Sequence, residues 1–289
     1  MNPKPDRGPE MTLPFKSIPV ARDKVQSTAL VWTFSILLSI AAIALPLAAV
    51  RLSLPLWPLA RPLLLSAAFA ALVYLLRAAT LGASILGFLV CFILAQSPAA
   101  WSRYLPDTSP HPLFVALIVL FALTYAATKF GRARKEAHGL SEPRHGRQAS
   151  QIVANLGIAA LFAAAGRYDG CVAALAEVTA DTVSSEVGQA IGHSPRLLTT
   201  GRLVPPGTDG AITTVGTLTG IAAAAIVIAI GAMRHPFWPT QAVLLGAATA
   251  GLFFDSLLGA TVERRGWFGN DLVNLTSTLV AALIASSLR

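Results

Sequence analysis

About nine times along its 289 residues, this chain carries an apolar run of roughly the length needed to cross a bilayer. Such runs leave few folds open. In hydrocarbon every backbone N–H and C=O must be satisfied within the protein, so spanning segments are helices or closed barrels. The runs here are continuous, unlike the short alternating segments of a barrel, and that selects helices. The expected fold is therefore all-α, a polytopic transmembrane bundle of about nine helices. The spans are expected at 28–50, 61–77, 80–96, 112–129, 151–166, 171–191, 211–233, 240–260 and 271–288. Composition agrees, with 54% hydrophobic and 12% charged residues, against about 25% charged in a soluble domain.

Residues 1–26 are rich in Pro and charge, and read as a disordered cytoplasmic tail ahead of one membrane domain at 27–289. No cleavable signal is expected, because the n-region is long and no small-residue cleavage site follows the first span. The net charge of +8 fits a bilayer protein with basic loops on one side. No aromatic–basic interleaving points to nucleic acid. Cys91 and Cys171 fall in apolar runs, so free thiols are expected. With the N-terminus inside, the basic loop 131–149 and the loops 192–210 and 261–270 all face the cytoplasm, as the positive-inside rule requires. The expected location is a bacterial inner (cytoplasmic) membrane.

One span breaks the apolar pattern. Within 171–191 stand Glu177, Asp181 and Glu186, although a carboxylate in hydrocarbon costs several kcal/mol, roughly, even after relaxation. Glu177 and Asp181 are four apart and share a helix face, with Ser184 extending it and Ser185 close by. Like charges so placed need a proton or a cation between them. A hard divalent ion such as Mg2+ takes carboxylate oxygens. The plainer reading is a polar seam between packed helices. The assumed topology puts Asp181, Asp255, Asn155, Asp271 and Asn274 near the cytoplasmic ends of their spans, beside the basic loop.

The loop 198–217 is rich in Gly and Thr, with Pro205-Pro206 before Gly207, and leads into a helix N-terminus. It reads either as a phosphate cradle or as a plain connection. It is not a Walker A loop, since no Gly-Lys-Ser/Thr occurs. The segment 131–137 offers Arg and Lys to phosphate oxygens, or serves only as a topology signal. Acids, phosphate donors and nearby bases are the parts needed for phosphoryl or nucleotidyl transfer.

Four motifs then carry a resemblance. Arg134-Lys-Glu-Ala137 is the first. Ala176-Glu-Val-Thr-Ala-Asp-Thr182 with Ser185-Glu-Val-Gly188 is the second. The third is Thr199-Thr-Gly201 with Val204-Pro-Pro-Gly-Thr208, and the fourth runs from Phe254-Asp-Ser-Leu-Leu-Gly-Ala260 to Asn270-Asp-Leu-Val-Asn274. Over roughly 60–288 the chain resembles the DUF92/TMEM19 membrane family, which includes plant and cyanobacterial phytyl-phosphate kinases. More distantly it is similar to CTP-using phytol and dolichol kinases. The resemblance implies phosphoryl transfer from CTP, or another nucleoside triphosphate, to a prenyl monophosphate at the cytoplasmic face. It implies that Glu177, Asp181 and Asp255 hold Mg2+ (or Mn2+). It implies that Lys135, Arg134 and Arg265 neutralise phosphates. The nucleotide would meet Asn155, Thr182, Ser185, Glu186, Gly188, Thr199, Thr200, Gly201, Pro206, Gly207, Thr208, Gly210, Asp271 and Asn274.

A monophosphate acceptor brings its own anionic nucleophile, whereas an alcohol needs a general base, for which Glu186 is a candidate. Prenol kinase, lipid cytidylyltransferase and a transporter or flippase using the acids as a cation relay are the competing readings. The expected partners are the lipid substrate, the nucleotide and the bilayer. Prenyl chain length and oligomeric state are left open by the pattern.

Overall fold

The computed structural model describes residues 18–53, 56, 59–96, 111–137, 139–140, 146–233 and 237–287. Ten α-helices stand among them: α1 (Val20–Arg51), α2 (Ala60–Leu75), α3 (Leu81–Ala95), α4 (Pro112–Lys129), α5 (Arg132–Ala137), α6 (Ala149–Ala164), α7 (Tyr168–Ile191), α8 (Thr214–Gly231), α9 (Trp238–Leu258) and α10 (Asn270–Ser287). A helix lies at each of the nine expected spans, and α5 is an extra short turn in the basic loop. By length and composition α1, α4, α8 and the 26-residue segment formed by α9 with its extension are apolar enough to cross a membrane. Cys91 and Cys171 are free and buried.

The bundle is built around α7. Residues 171–176 of α7 have no exposed surface, which is the signature of a helix surrounded by others. It touches α4, α6, α8, α9 and α10. Small residues allow the closest of these approaches. A Cβ on Gly216 would sit 2.5 Å from the Ser184 carbonyl oxygen, and one on Gly220 would sit 2.4 Å from that of Ala180. At the periphery, Trp32, Ile36, Ile40 and Ile43 make an exposed apolar stripe along α1. In a bilayer that stripe faces lipid, so its exposure carries no hydrophobic cost.

Helix ends are set locally. Thr80 caps α3 by accepting from the Ala83 N–H (3.4 Å), and Thr213 caps α8 through the Gly216 N–H (3.1 Å). Two short extended contacts hold the loops. β1 (Arg196–Leu197) pairs antiparallel with β2 (Ala211–Ile212), closing the 198–210 loop. Residues 79 and 147 pair in parallel: the Thr80 N–H donates to the Arg147 carbonyl (3.0 Å), and the Arg147 N–H to that of Ala78 (2.9 Å).

The expected tail is shorter than its composition suggests. From Val20 onward it is helix. Arg22 donates to the Gly266 carbonyl (2.9 Å), Gln26 to that of Trp267 (2.8 Å), and Ser27 to Asp271 (2.7 Å). Hydrogen bonds to a loop some 240 residues away order a stretch whose local composition favours disorder. Residues 1–17 lie outside the described set.

Candidate active site

At one end of the bundle α6, α7, α9 and α10 stop short of closing, and the loop 206–213 covers part of the gap. The result is a polar cavity of about 260 Å³. From α7 it receives Asp181, Thr182, Ser184, Ser185, Glu186 and Gly188, and from α6 Asn155. Asp255 enters from α9, Asn274 from α10, and Pro206, Gly207, Thr208 and Gly210 from the loop. Four helices and a loop thus bring thirteen residues singled out in the sequence to one space.

The loop is seated by glycine geometry. Gly210 has φ +71°, and a Cβ there would meet the Ala260 nitrogen at 2.2 Å and the Ser256 carbonyl oxygen at 2.4 Å. No larger residue lets this backbone lie against α9. Where it lands, α9 widens into a π turn (Gly259–Glu263), a deformation often found at functional sites.

Polar side chains are tied together across the cavity. Ser277 donates to Asp255 (3.1 Å). The Asn155 and Asn274 amides lie 3.0 Å apart, and with its amide group turned over Asn274 also donates to Asp255 at 3.2 Å. Glu177 lies one turn below Asp181, buried beneath Gly251, where a Cβ would approach its Cγ to 2.6 Å. One carboxylate oxygen accepts from Thr278 (2.9 Å), and the other is buried without a partner.

Other predicted residues stand outside the cavity. Lys135 is 1% exposed. Its ammonium pairs with Glu186 and donates to the carbonyls of Ala127 (3.2 Å) and Thr128 (2.8 Å). It is a buttress between α4 and α7 and does not line the cavity, and neither does its exposed neighbour Arg134. Thr199, Thr200 and Gly201 sit at the exposed far end of the hairpin, where Arg196 donates to the Gly201 carbonyl (2.8 Å). Arg265 lies outside over the Trp267 ring, 5.5 Å from its centroid. Asp271 faces α1 through Ser27.

Sequence reasoning missed Arg147, Gln151, Asp209, Ser256 and Glu263, all in the lining. A signal was present. Gln151 and Asn155 stand four apart on one face of α6, with Arg147 four residues earlier just ahead of that helix, and Asp255, Gly259 and Glu263 recur at the same spacing along α9 and its π turn. Arg264, not Arg265, is the buried member of its pair, and its charge acts on Asp209. Burial lifts the Asp209 carboxyl above its ordinary range, and the Arg264 guanidinium opposes the rise.

The charge balance is the main chemical fact. Asp181, Glu186, Asp209, Asp255 and Glu263 line the cavity, and Arg147, close enough to Asp181 to interact electrostatically, is its only cation among the described residues. Only Glu186 among these acids has a lysine partner. An acid-rich space of this kind attracts cations and repels a bare polyanion. Among the described residues no three His, Cys, Asp or Glu side chains are disposed to hold a metal by themselves. The donor set nevertheless suits Mg2+, which is commonly held by one or two carboxylates and completed by water and phosphate oxygens. Asp181 and Asp255 are the pair on the cavity wall.

Fold and cavity together define an integral membrane helix bundle with a polar, acid-rich site at one end. The family model "Integral membrane protein DUF92" matches residues 64–282, and the chain belongs to that family. It is 34% identical over 212 residues to an uncharacterised membrane protein of Methanocaldococcus jannaschii, covering 71% of this chain and 81% of that one. It is 30% identical over 190 residues to Protein VTE6, chloroplastic, of Arabidopsis thaliana, covering 60% of this chain and 57% of that protein. A Synechocystis membrane protein is 33% identical over 186 residues, 60% of this chain and 72% of its own. No solved structure matches significantly.

Proposed function

We propose that the cavity binds a nucleoside triphosphate as its Mg2+ complex and passes the terminal phosphoryl group to an isoprenoid monophosphate at the cytoplasmic face. The observation that carries this reading is the excess of acids over cations in a cavity roofed by a Gly/Thr loop. Such a space accepts a polyphosphate only with a divalent ion between. CTP as donor and a phytyl-like acceptor rest on the kinases within the family resemblance.

Asp181 and Asp255 would hold the ion, which would supply charge neutralisation along the phosphate chain. The backbone of 206–210 and the Thr208 and Thr213 hydroxyls would orient the nucleotide. An oxygen of the acceptor phosphate attacks the γ-phosphorus, forming a new P–O bond. The bond from that phosphorus to the β–γ bridging oxygen breaks, and the nucleoside diphosphate leaves with the electron pair. Arg147 stands where charge on the transferring group is stabilised. The nucleophile is already anionic, so no side chain need remove a proton.

The test uses full-length protein in detergent with γ-labelled triphosphate, Mg2+ and phytyl or geranylgeranyl phosphate. The expected product is a labelled prenyl diphosphate. Pyrophosphate release with CMP left on the lipid would make the protein a cytidylyltransferase, and turnover of the free alcohol alone a prenol kinase. Cation flux without nucleotide dependence would favour a relay through the acids. That reading has its own support in the partnerless buried oxygen of Glu177 beneath Asp181.

A further inference from the structure

A second cavity, about 120 Å³, opens between α2, α3, α4 and α6. Its walls are apolar: Phe69, Leu117, Leu120, Phe121 and Leu156 among others. Its charged lining residues are Arg77, Lys129, Arg132 and Arg147, which stand at or just beyond the C-terminal ends of α2 and α4 and just before the N-terminus of α6, marking one basic end. No acid lines it among the described residues, in contrast to five in the polar cavity. Along α4 the lining runs from Leu117 to Lys129, a rise of about 18 Å.

We propose that this cleft seats the hydrocarbon chain of a single-chain isoprenoid phosphate, with the phosphate at the basic end and Arg147 as the wall shared with the nucleotide cavity. The inference deepens the kinase reading and rests on it for the identity of the acceptor. Three further observations support it.

Arg147 lines both cavities, so a phosphate held there from the apolar side lies beside the polar one. Its backbone is pinned in place by the 79–147 pairing. Gly146 makes the approach possible, since a Cβ there would lie 2.5 Å from the Ala78 carbonyl carbon. Next, the Arg77 side chain makes no hydrogen bond or ion pair among the described residues and is exposed at the mouth. Lys129 rests over the Tyr125 ring at 5.2 Å, and Arg132 is bonded to Glu136 (2.8 Å). Among the described residues Arg77 is therefore the rim charge with no partner to give up on binding an anion. Finally, the cleft has room where a chain would lie: Gly87 lines it, and a Cβ there would meet nothing within 4 Å.

The experiment is photolabelling of full-length protein in detergent with a diazirine-bearing geranylgeranyl phosphate, read by peptide mapping. A parallel arm uses the matching alcohol, and labelled triphosphate binding is measured separately. Label is expected on peptides from α2, α3 and α4. A Cβ at position 87 points into open space, so, with the Tm in detergent as the check, the Gly87→Leu variant should fold. It should cut labelling and raise the acceptor KM about tenfold, the loss expected from displacing about two buried methylenes, with triphosphate binding unchanged. Arg77→Gln should weaken labelling by the phosphate and leave that by the alcohol as it was. Label spread over the lipid-facing side of α1, indifference to Gly87→Leu, or equal displacement by a two-chain phospholipid would overturn the proposal. Failure of the kinase reading would show separately, as cleft labelling without nucleotide-dependent turnover.

Discussion

Helix α6 divides two chambers of opposite character. To one side it presents Gln151 and Asn155, and to the other Ile152 and Leu156. The first chamber is walled by acids, amides and hydroxyls, and the second by aliphatic and aromatic groups with a basic mouth. A single helix with successive polar and apolar faces thus separates a space suited to a hydrated, metal-bearing ligand from one suited to a hydrocarbon. The two chambers meet at Arg147, which lines both, and the proposed transfer from a soluble nucleotide to a lipid would need both.

Substitutions can break or sharpen this contrast. The largest effect is expected from Asp181→Asn, which removes an acid from the polar side only. Turnover of labelled triphosphate should fall by about a thousandfold, while expression and cleft photolabelling stay normal. Comparable activity in that variant would remove Asp181 from the metal site. Lys135→Met probes the strut between the chambers, because Lys135 joins the end of α4 to Glu186 on the polar wall. Leaving Glu186 buried and unpaired should cost about 3 kcal/mol of stability, read as a lowered Tm in detergent. An unchanged Tm would mean that the pair is not a strut. Arg147→Gln should raise the KM for both substrates and lower kcat/KM by about a hundredfold. An effect on one substrate alone would dissolve the shared wall. Smallest is Arg265→Gln, which touches neither chamber and should change stability by less than about 0.5 kcal/mol and activity hardly at all.

Much of the fold was legible because a membrane imposes a length. An apolar run of about twenty residues in a membrane is helical whatever its neighbours, and so the helices at the nine expected positions could be marked from the chain alone. Asp181 and Asp255 were legible for a related reason: carboxylates inside such runs need compensation. The residues that fall outside the cavity are those whose surroundings are decided in three dimensions. Lys135 reads as a surface base in a basic loop, and its partner Glu186 is 51 positions away. Thr199 and Thr200 share the composition of the loop that roofs the cavity, but the β1–β2 pairing carries them to its far side. Arg147 was visible as one charge among several in its loop. Its spacing from Gln151 and Asn155 held the missing information.

The π turn at the end of α9 re-aims the chain beyond it. With i→i+5 bonding, the five residues from Gly259 to Glu263 use more chain per revolution than an α-helix does. The residue that directly follows is advanced in phase by about one residue, roughly 100°. Directly after the turn come two adjacent, chemically identical guanidinium groups, of which Arg264 is turned inward and Arg265 outward. A one-residue deletion within 259–263 would restore α-helical phase at Arg264 and is expected to turn that guanidinium away from Asp209.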